Sequence, residues 1–420
     1  MFNLHYTKNK KIIKKNKKIK VKNRKKVKQK MEWQPEVKEL YDNVVLRMPE
    51  MVRPVIKPQL FQKAEIKCEE RRGKSVAEVD LIVALFEITP TAFQPTMIAD
   101  LESLNVDYDR YLAKVKADFK CTNDLEQMIK DFAKLCEITE VNFNEDATRK
   151  VFNAYEKFFI GAPVSIRTTT KPVERRDVAL RYVEFFMPHN PDPYTTAINK
   201  GLIEKDDHPI HEMIQEVMDT FQLMGYGVDV DANTGLSKIW VFIVPGSIEP
   251  IFSMKYAPQS MKKYKDYFIK HDLTAFSLFA FDFLYKTTNI YFMLKQPPKA
   301  LYDNCVSLVE ELGFEPDIKE AMEGCTKAVH LNYTFTWDSD KIERFCFGIE
   351  SDDPKEIPTH LHPLMKKFVD ETPLQSDSRK FLWGVAFNHK GLYYKIENDY
   401  NGAMIDFLGM GCKAGLETYK

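Results

Sequence analysis

Residues 121–420 are predicted to form an α+β domain: a closed ten-stranded antiparallel β-barrel with helices around it, preceded by a small helical domain over 31–120. Three observations predict this. Ten segments show strand-like alternation, they come as five pairs joined by short turns, and stretches of helical spacing separate the pairs. Ten antiparallel strands either leave two open edges or close on themselves. Closure under an outer layer of helices leaves a lumen, and a barrel this wide can hold a ligand as well as its own side chains.

The helical domain opens near Trp33. Prolines at 49, 54, 58, 90 and 95 break the chain into short helices as far as about Lys120, and Val79, Ile82, Val83, Leu85 and Phe86 recur at helical spacing. After Cys121 a helical stretch from Leu125 to Phe158 leads to the first strand pair, Pro163–Thr169 with Val178–Met187. Asp192 then caps a helix with Pro193 in its first turn and Gly201 at its end, and a second helix runs from His211 to Met224. The next pair, Tyr226–Ala232 and Leu236–Val244, is joined by the hairpin turn Asn233-Thr234-Gly235. Helical sequence at Ser260–Ile269 precedes Thr274–Leu284 and Asn289–Lys295. Ala300–Leu312 precedes Lys327–Trp337 and Lys341–Ile349, and His362–Val369 precedes Phe381–Asn388 and Leu392–Glu397, with a last helix beyond.

Composition places the chain among globular proteins: 44 % of its 420 residues are hydrophobic and 29 % charged. No apolar run approaches the ~20 residues of a membrane helix. The longest, Leu273 to Phe283, is interrupted by Ser277 and Asp282. The seven cysteines (Cys68, Cys121, Cys136, Cys305, Cys325, Cys346 and Cys412) form no CxxC pair and have no histidine at zinc spacing, which implies a reducing compartment and no structural metal. No signal peptide is evident, so the cytoplasm is expected.

The zero net charge hides an asymmetry. Residues 1–30 contain thirteen Lys, one Arg and no acid, so the rest carries fourteen more acids than bases. Such an arm could tether nucleic acid or a membrane. Its Lys, Asn, Ile, Tyr and Phe are the residues of A/T-rich codons, and Met31 opens an ordinary mixed sequence. The arm is therefore read as a disordered leader ahead of the true start, with no nucleic-acid or membrane partner and a monomeric chain.

Alternation assigns every second strand residue to one face. One face carries Ser165, Arg167, Arg181, Lys238, Trp240, Thr287, Asn289, Tyr291, His330, Asn332, Thr334, Arg344, Tyr393 and Lys395. The opposite face is apolar, with Ile166, Ile239, Val241, Ile290, Phe292, Leu331, Phe335, Phe345, Phe347 and Ile396. The apolar face must pack under the helices, so the cationic face lines the lumen. That face shows few carboxylates, and several enclosed cations without counter-charge call for a bound polyanion. Arg and Lys with Tyr and Asn donors suit a diphosphate, and Trp240, Tyr291 and Tyr393 suit an apolar tail or a cation.

From Pro163 to the C-terminus the chain resembles the soluble aromatic prenyltransferases of the ABBA (ααββ-barrel) fold, which act on hydroxynaphthalenes, phenols and dihydrophenazines. The resemblance is carried by Asp192-Pro193-Tyr194 with Lys200-Gly201-Leu202, Lys238-Ile239-Trp240, Thr287 to Phe292, Trp337 with Lys341 to Phe347, Ser351 to Pro354, and Leu392 to Lys395. It implies a diphosphate cradle at Lys238, Thr287, Asn289, Arg344 and Lys395, to which the lumen face adds Arg167, Arg181 and Tyr393. Tyr291 matches an aromatic near prenyl chain and acceptor, and Trp240 stands where relatives have Tyr. His330 stands where some have Ser and Asn332 where they have a phosphate-binding Tyr, while Glu397 to Tyr400 departs from the family pattern. Arg181 replaces the Asp of Mg²⁺-dependent members, which implies metal independence and no cofactor beyond the prenyl diphosphate. Separately, Trp33 to Glu36 with Pro49, Arg53 and Ala64-Glu65 is similar to the small C-terminal domain of the light-independent protochlorophyllide reductase B subunit.

The resemblance implies transfer of an allylic group from dimethylallyl, geranyl or farnesyl diphosphate to a phenol, naphthol or dihydrophenazine, a prenyl transferase reaction of class EC 2.5.1. The expected catalytic residues are Tyr291, His330 and Trp240, with Ser277, Asn332 and Asp399 at the acceptor. The competing reading is a non-catalytic barrel that binds an isoprenoid quinone or another anionic lipid.

Overall fold

The structure, a computed structural model, describes residues 31–48, 50, 52–70, 73–89, 94–108, 122–185, 189, 191–294, 298–315, 319–377, 379–405 and 408. The expected disordered arm 1–30 and most of the last helix lie outside the described residues. The chain divides into two compact units, the first ending at Ile88. The helix Gln94–Ser103 belongs to the second unit, where Gln222 Nε2 donates to Thr96 Oγ1 at 2.6 Å.

The first unit contains helices Pro35–Arg47, Arg53–Glu70 and Glu78–Ile88 and a short parallel pairing of Glu32–Trp33 with Ser75–Val76. Trp33 stacks on Phe61 at 4.6 Å above a core that includes Tyr41, Leu60, Ala64, Leu81 and Leu85. Pro58, expected to break the chain, sits inside the second of these helices. It lies close to the N-terminus, where the lack of one N–H removes a single early bond.

The second unit is the barrel. Its strands are β1 (Val164–Thr169), β2 (Val178–Glu184), β3 (Leu223–Asp231), β4 (Gly235–Ser247), β5 (Ala275–Asp282), β6 (Thr287–Met293), β7 (Ala328–Thr336), β8 (Arg344–Ser351), β9 (Phe381–Asn388) and β10 (Gly391–Asp399). Each pairs antiparallel with its neighbours in sequence, and β10 closes on β1 from Lys395↔Thr169 to Asp399↔Ser165. The fold class expected from the sequence holds. Helix His211–Met224 was expected to run longer; it ends at Thr220, and Leu223 and Met224 begin β3. Apolar residues at that junction fit either period, and Met224 is used on the lumen side.

Local chemistry supports these elements. Asp124 caps the helix Leu125–Thr139 by accepting from the N–H groups of Glu126 and Gln127, and Asp192 caps Pro193–Asn199 through the N–H of Thr195, as expected. In the β3–β4 turn Asp231 accepts from the N–H groups of Asn233 and Thr234, while Gly235 takes φ +85°.

Among the described residues strand alternation produces one outer core and two inner clusters, the smaller of these formed by Cys346, Ala386 and Tyr393. The outer core is annular: outward residues such as Ile166, Tyr182, Val241, Phe292, Tyr333 and Phe347 pack against Phe132, Phe152, Ile214, Phe268 and Phe368 of the helices. The larger inner cluster contains Val183, Phe185, Met224, Trp240, Phe242, Leu278, Tyr291 and Met404.

The entry and exit of the barrel are stitched together by two amides. Asn123 Nδ2 donates to the carbonyls of Phe159 (2.7 Å) and Ala162 (3.0 Å), and its Oδ1 accepts from Asn401 at 3.0 Å. Asn401 in turn accepts from the N–H of Val164. Replacing Asn123 by Ala removes the side-chain donor to the Phe159 carbonyl, while Asn401 still donates to Ala162, and is expected to cost about 1–3 kcal/mol in urea unfolding. The loss should be less than additive with Asn401→Ala, because the two side chains share one network.

Candidate active site

A cavity of about 140 Å³ lies in the lumen and is lined from all ten strands. Its polar residues cluster toward the hairpin-turn end, where Lys238, Asp282, Arg344 and Tyr393 stand near strand ends. Phe185, Met224, Phe242, Leu278 and Leu408 line the opposite end. Trp240 and Tyr291 stand at the junction, their rings 5.3 Å apart, and His330 lies 5.6 Å from Tyr291.

One wall of the polar end is an ion-pair network centred on Asp229, which is fully buried. Its Oδ1 accepts from Arg181 Nε at 2.6 Å and Trp240 Nε1 at 2.8 Å, and its Oδ2 from Arg167 Nη2 at 2.6 Å. Arg181 also reaches Glu397 at 3.2 Å, and its guanidinium lies 3.8 Å from the centre of the Trp240 ring. Ser165 Oγ donates to Glu397 at 2.5 Å. Burial works to raise the Asp229 pKa, but Arg181 and Arg167 outweigh it and hold the group below the usual carboxylate range. Beside this network Lys238 pairs with Asp282 at 3.0 Å and Lys171 with Asp177 at 2.7 Å.

The facing wall is different. Arg344 and Lys395 have no carboxylate partner among the described residues; Arg344 Nη1 donates to Tyr393 Oη at 3.0 Å. Arg344 Nε, Asn289 Oδ1, Thr334 Oγ1 and Asn332 Oδ1 are buried without a hydrogen-bond partner. The register sets Asn289, Thr334 and Arg344 in one row across β6, β7 and β8. Burial, reinforced by Arg344 and Lys238, pulls the Lys395 pKa down to about 7. This wall therefore presents positive charge and unused hydrogen-bonding groups to whatever occupies the cavity.

The family described as Aromatic prenyltransferase Orf2 matches residues 123–410. This chain belongs to that family. Among named relatives, 5,10-dihydrophenazine-1-carboxylate 9-dimethylallyltransferase of Streptomyces anulatus is 28 % identical over 256 residues, covering 60 % of this chain and 85 % of its own length. Flaviolin linalyltransferase of Streptomyces virginiae is 24 % identical over 63 % of this chain and 88 % of its own. The furaquinocin biosynthesis prenyltransferase of Streptomyces sp. (strain KO-3988) is 23 % identical over 66 % and 90 %. The chain is thus an aromatic prenyltransferase, an enzyme that transfers an allylic prenyl group to an aromatic acceptor. The match favours this over the lipid-binding barrel.

Within this prenyltransferase the structure gathers Arg167, Arg181, Lys238, Trp240, Ser277, Asn289, Tyr291, His330, Asn332, Arg344, Tyr393 and Lys395 around the cavity. Thr287 shares their face but stands at the rim, in register with Asp282 and Thr336, and is not part of the lining. Asp399, expected at the acceptor, is not part of the cavity lining: its Oδ2 accepts from the N–H of Ile405, anchoring the start of the C-terminal segment.

The expectation of few carboxylates on the lumen face also needs correction. Asp229, Asp282, Glu397 and Asp177 answer Arg167, Arg181, Lys238 and Lys171, and among the described residues Arg344 and Lys395 stand without an acidic partner. Glu397 lies two residues from Lys395, so the alternation that identifies one also identifies the other. Lys171 follows the end of β1 in a turn, where no alternation applies.

Asp229 is the test of this network. Asp229→Asn leaves two buried guanidiniums short of a counter-charge and is expected to lower stability by about 3–5 kcal/mol in denaturant unfolding. The depressed pKa places the contribution of Asp229 above its unfolded value of about 3.9, so it should be intact at pH 5–8 and decline only in strong acid.

Proposed function

We propose that this enzyme binds a prenyl diphosphate with its diphosphate against Arg344, Lys395, Lys238, Tyr393 and Asn289. Its prenyl chain then lies toward Phe185, Met224, Phe242 and Leu278. The observation that carries this reading is the amphiphilic lumen: a wall of uncommitted cations and unpaired donors and acceptors at one end, and an apolar floor at the other. The donors are dimethylallyl, geranyl or farnesyl diphosphate. The acceptor is an electron-rich phenol, naphthol or dihydrophenazine, in keeping with relatives named for dihydrophenazine and flaviolin substrates.

The cations stabilise charge growing on the leaving diphosphate as the allylic C–O bond ionises. Tyr291 and Trp240 wall the allylic cation from water. One face of Trp240 is taken by Arg181, so the larger share of that shielding falls to Tyr291. His330 meets the acceptor as a neutral imidazole, because burial, with Lys395 and Arg181 nearby, pulls its pKa down to about 4. The acceptor's aromatic ring attacks the allylic cation left by the departing diphosphate, and the proton lost from the attacked carbon passes to that diphosphate or to water.

The reaction is proposed to need no Mg²⁺. Asp229 and Glu397 both hold guanidinium groups, and no three acidic, imidazole or thiol side chains converge as a metal cage among the described residues. Arg344 and Lys395 supply the charge an ion would bring. Product formation, followed by mass spectrometry over a panel of donors and acceptors, should persist in excess EDTA. Activity lost on chelation and restored by Mg²⁺ would overturn the metal-free reading.

Arg344→Ala and Lys395→Ala are each expected to weaken prenyl diphosphate binding roughly ten- to a hundredfold, the loss of a charge-assisted contact of about 1.5–3 kcal/mol. Binding should also move a proton. In the empty enzyme Lys395 is mostly neutral above pH 7, and a bound diphosphate favours its charged form. Calorimetry at pH 8 in buffers of different ionisation enthalpy should show more proton uptake for wild type than for Lys395→Met. Wild-type affinity should fall as pH rises above about 7, and equal uptake by the two proteins would remove Lys395 from the diphosphate site.

A further inference from the structure

We propose that Gly348 is a positioning residue for acceptor recognition: its bare Cα leaves the slot in which the His330 imidazole lies, and so fixes which part of that ring the aromatic substrate meets. This rests on the reading that His330 contacts the acceptor.

The geometry is specific to this part of the wall. In the strand register His330 stands opposite Gly348, Gly348 opposite Gly384, and Gly384 opposite Lys395. Two strands in succession therefore present no side chain between an imidazole and an amine, and all four residues line the cavity. A Cβ on Gly348 would lie 2.1 Å from His330 Cε1, 2.5 Å from Nε2 and 2.9 Å from Nδ1. These are its three nearest neighbours, so the ring occupies the volume a side chain would fill. The pairing of β7 with β8 shifts register between Gly348 and Ile349. Such an irregularity re-aims side chains locally, and here Val329 joins His330 in the lining.

The ring is otherwise held by little. His330 makes no hydrogen bond among the described residues, and its aromatic neighbour Tyr291 is 5.6 Å away. Its place on the wall is thus decided by space, and Gly348 supplies that space. A methyl group there displaces a side chain and not backbone, so the imidazole must swing into the room meant for the acceptor. Gly384 plays a separate part: a Cβ there would lie 2.3 Å from the carbonyl oxygen of Phe347, a backbone clash that makes Gly384→Ala unsuitable as a probe.

The experiment is a double-mutant cycle of Gly348→Ala and His330→Ala, read by thermal unfolding and by separate KM values for acceptor and prenyl diphosphate. Gly348→Ala should melt lower than wild type. In the His330→Ala background the same change should be neutral or slightly stabilising, because the clash is gone and a glycine within a strand is replaced. Each single variant should raise the acceptor KM roughly five- to tenfold, the scale of one lost hydrogen bond. The prenyl diphosphate KM should stay within about twofold, and the double variant should be no worse than either single. Stability losses that add in the double variant would overturn the slot itself, whatever the activity. If His330→Ala leaves the acceptor KM unchanged, the acceptor role of His330 fails, and the melting cycle still decides whether Gly348 seats the ring. Losses of acceptor affinity that multiply in the double variant would show two independent contributions and also overturn the inference.

Discussion

The buried carboxylate of Asp229 organises the first four strands of this barrel. It stands on β3 and takes hydrogen bonds from Arg167 on β1, Arg181 on β2 and Trp240 on β4. Four consecutive strands are thereby tied through one residue that water does not reach. A group so placed is tolerable only because its donors are charged and close. It also sets the indole of Trp240 beneath a guanidinium, so neither Arg181 nor Trp240 is free to follow a ligand.

That network divides the lumen chemically. On its side cations and carboxylates neutralise one another, and the wall is rigid. On the far side, across β6 to β10, Arg344 and Lys395 stand without an acid among the described residues, beside amide and hydroxyl oxygens that have no partner. Below both walls the side chains of Phe185, Phe242 and Leu278 make an apolar floor. In the proposed binding mode, an elongated molecule with an anionic head and a hydrocarbon tail satisfies both ends at once. The C-terminal helical segment adds Met404 and Leu408 to that floor, and the other helices of this unit lie outside the barrel. They cover the outer face of the barrel with an apolar layer.

The strand pairs, their turns and the closure of the sheet were legible because a period of two is hard to imitate over ten segments. Lys238, Asn289, Tyr291, Arg344 and Lys395 were legible for the same reason: their alternation with apolar neighbours makes them face inward whatever the details. Where two periods fit one stretch, as at Leu223 and Met224, the reading ran a helix into a strand. Asp399 obeys the alternation too, yet it serves the chain's own backbone at the barrel's end. A face tells where a side chain points, not what meets it there.

The sequence by itself therefore determined the architecture, the inward set of cations and aromatics, and the family to which they belong, since these depend on local periodicity and on motifs in collinear order. Tertiary structure alone decided which charges were spoken for. Arg181 is separated from Asp229 by 48 positions and from Glu397 by 216, and no local pattern announces those pairs. It also decided that His330 lies in the space left by Gly348, because that fit depends on the distance between neighbouring strands. Pairing energies and steric fit depend on distances between strands, and those exist only once the barrel has closed.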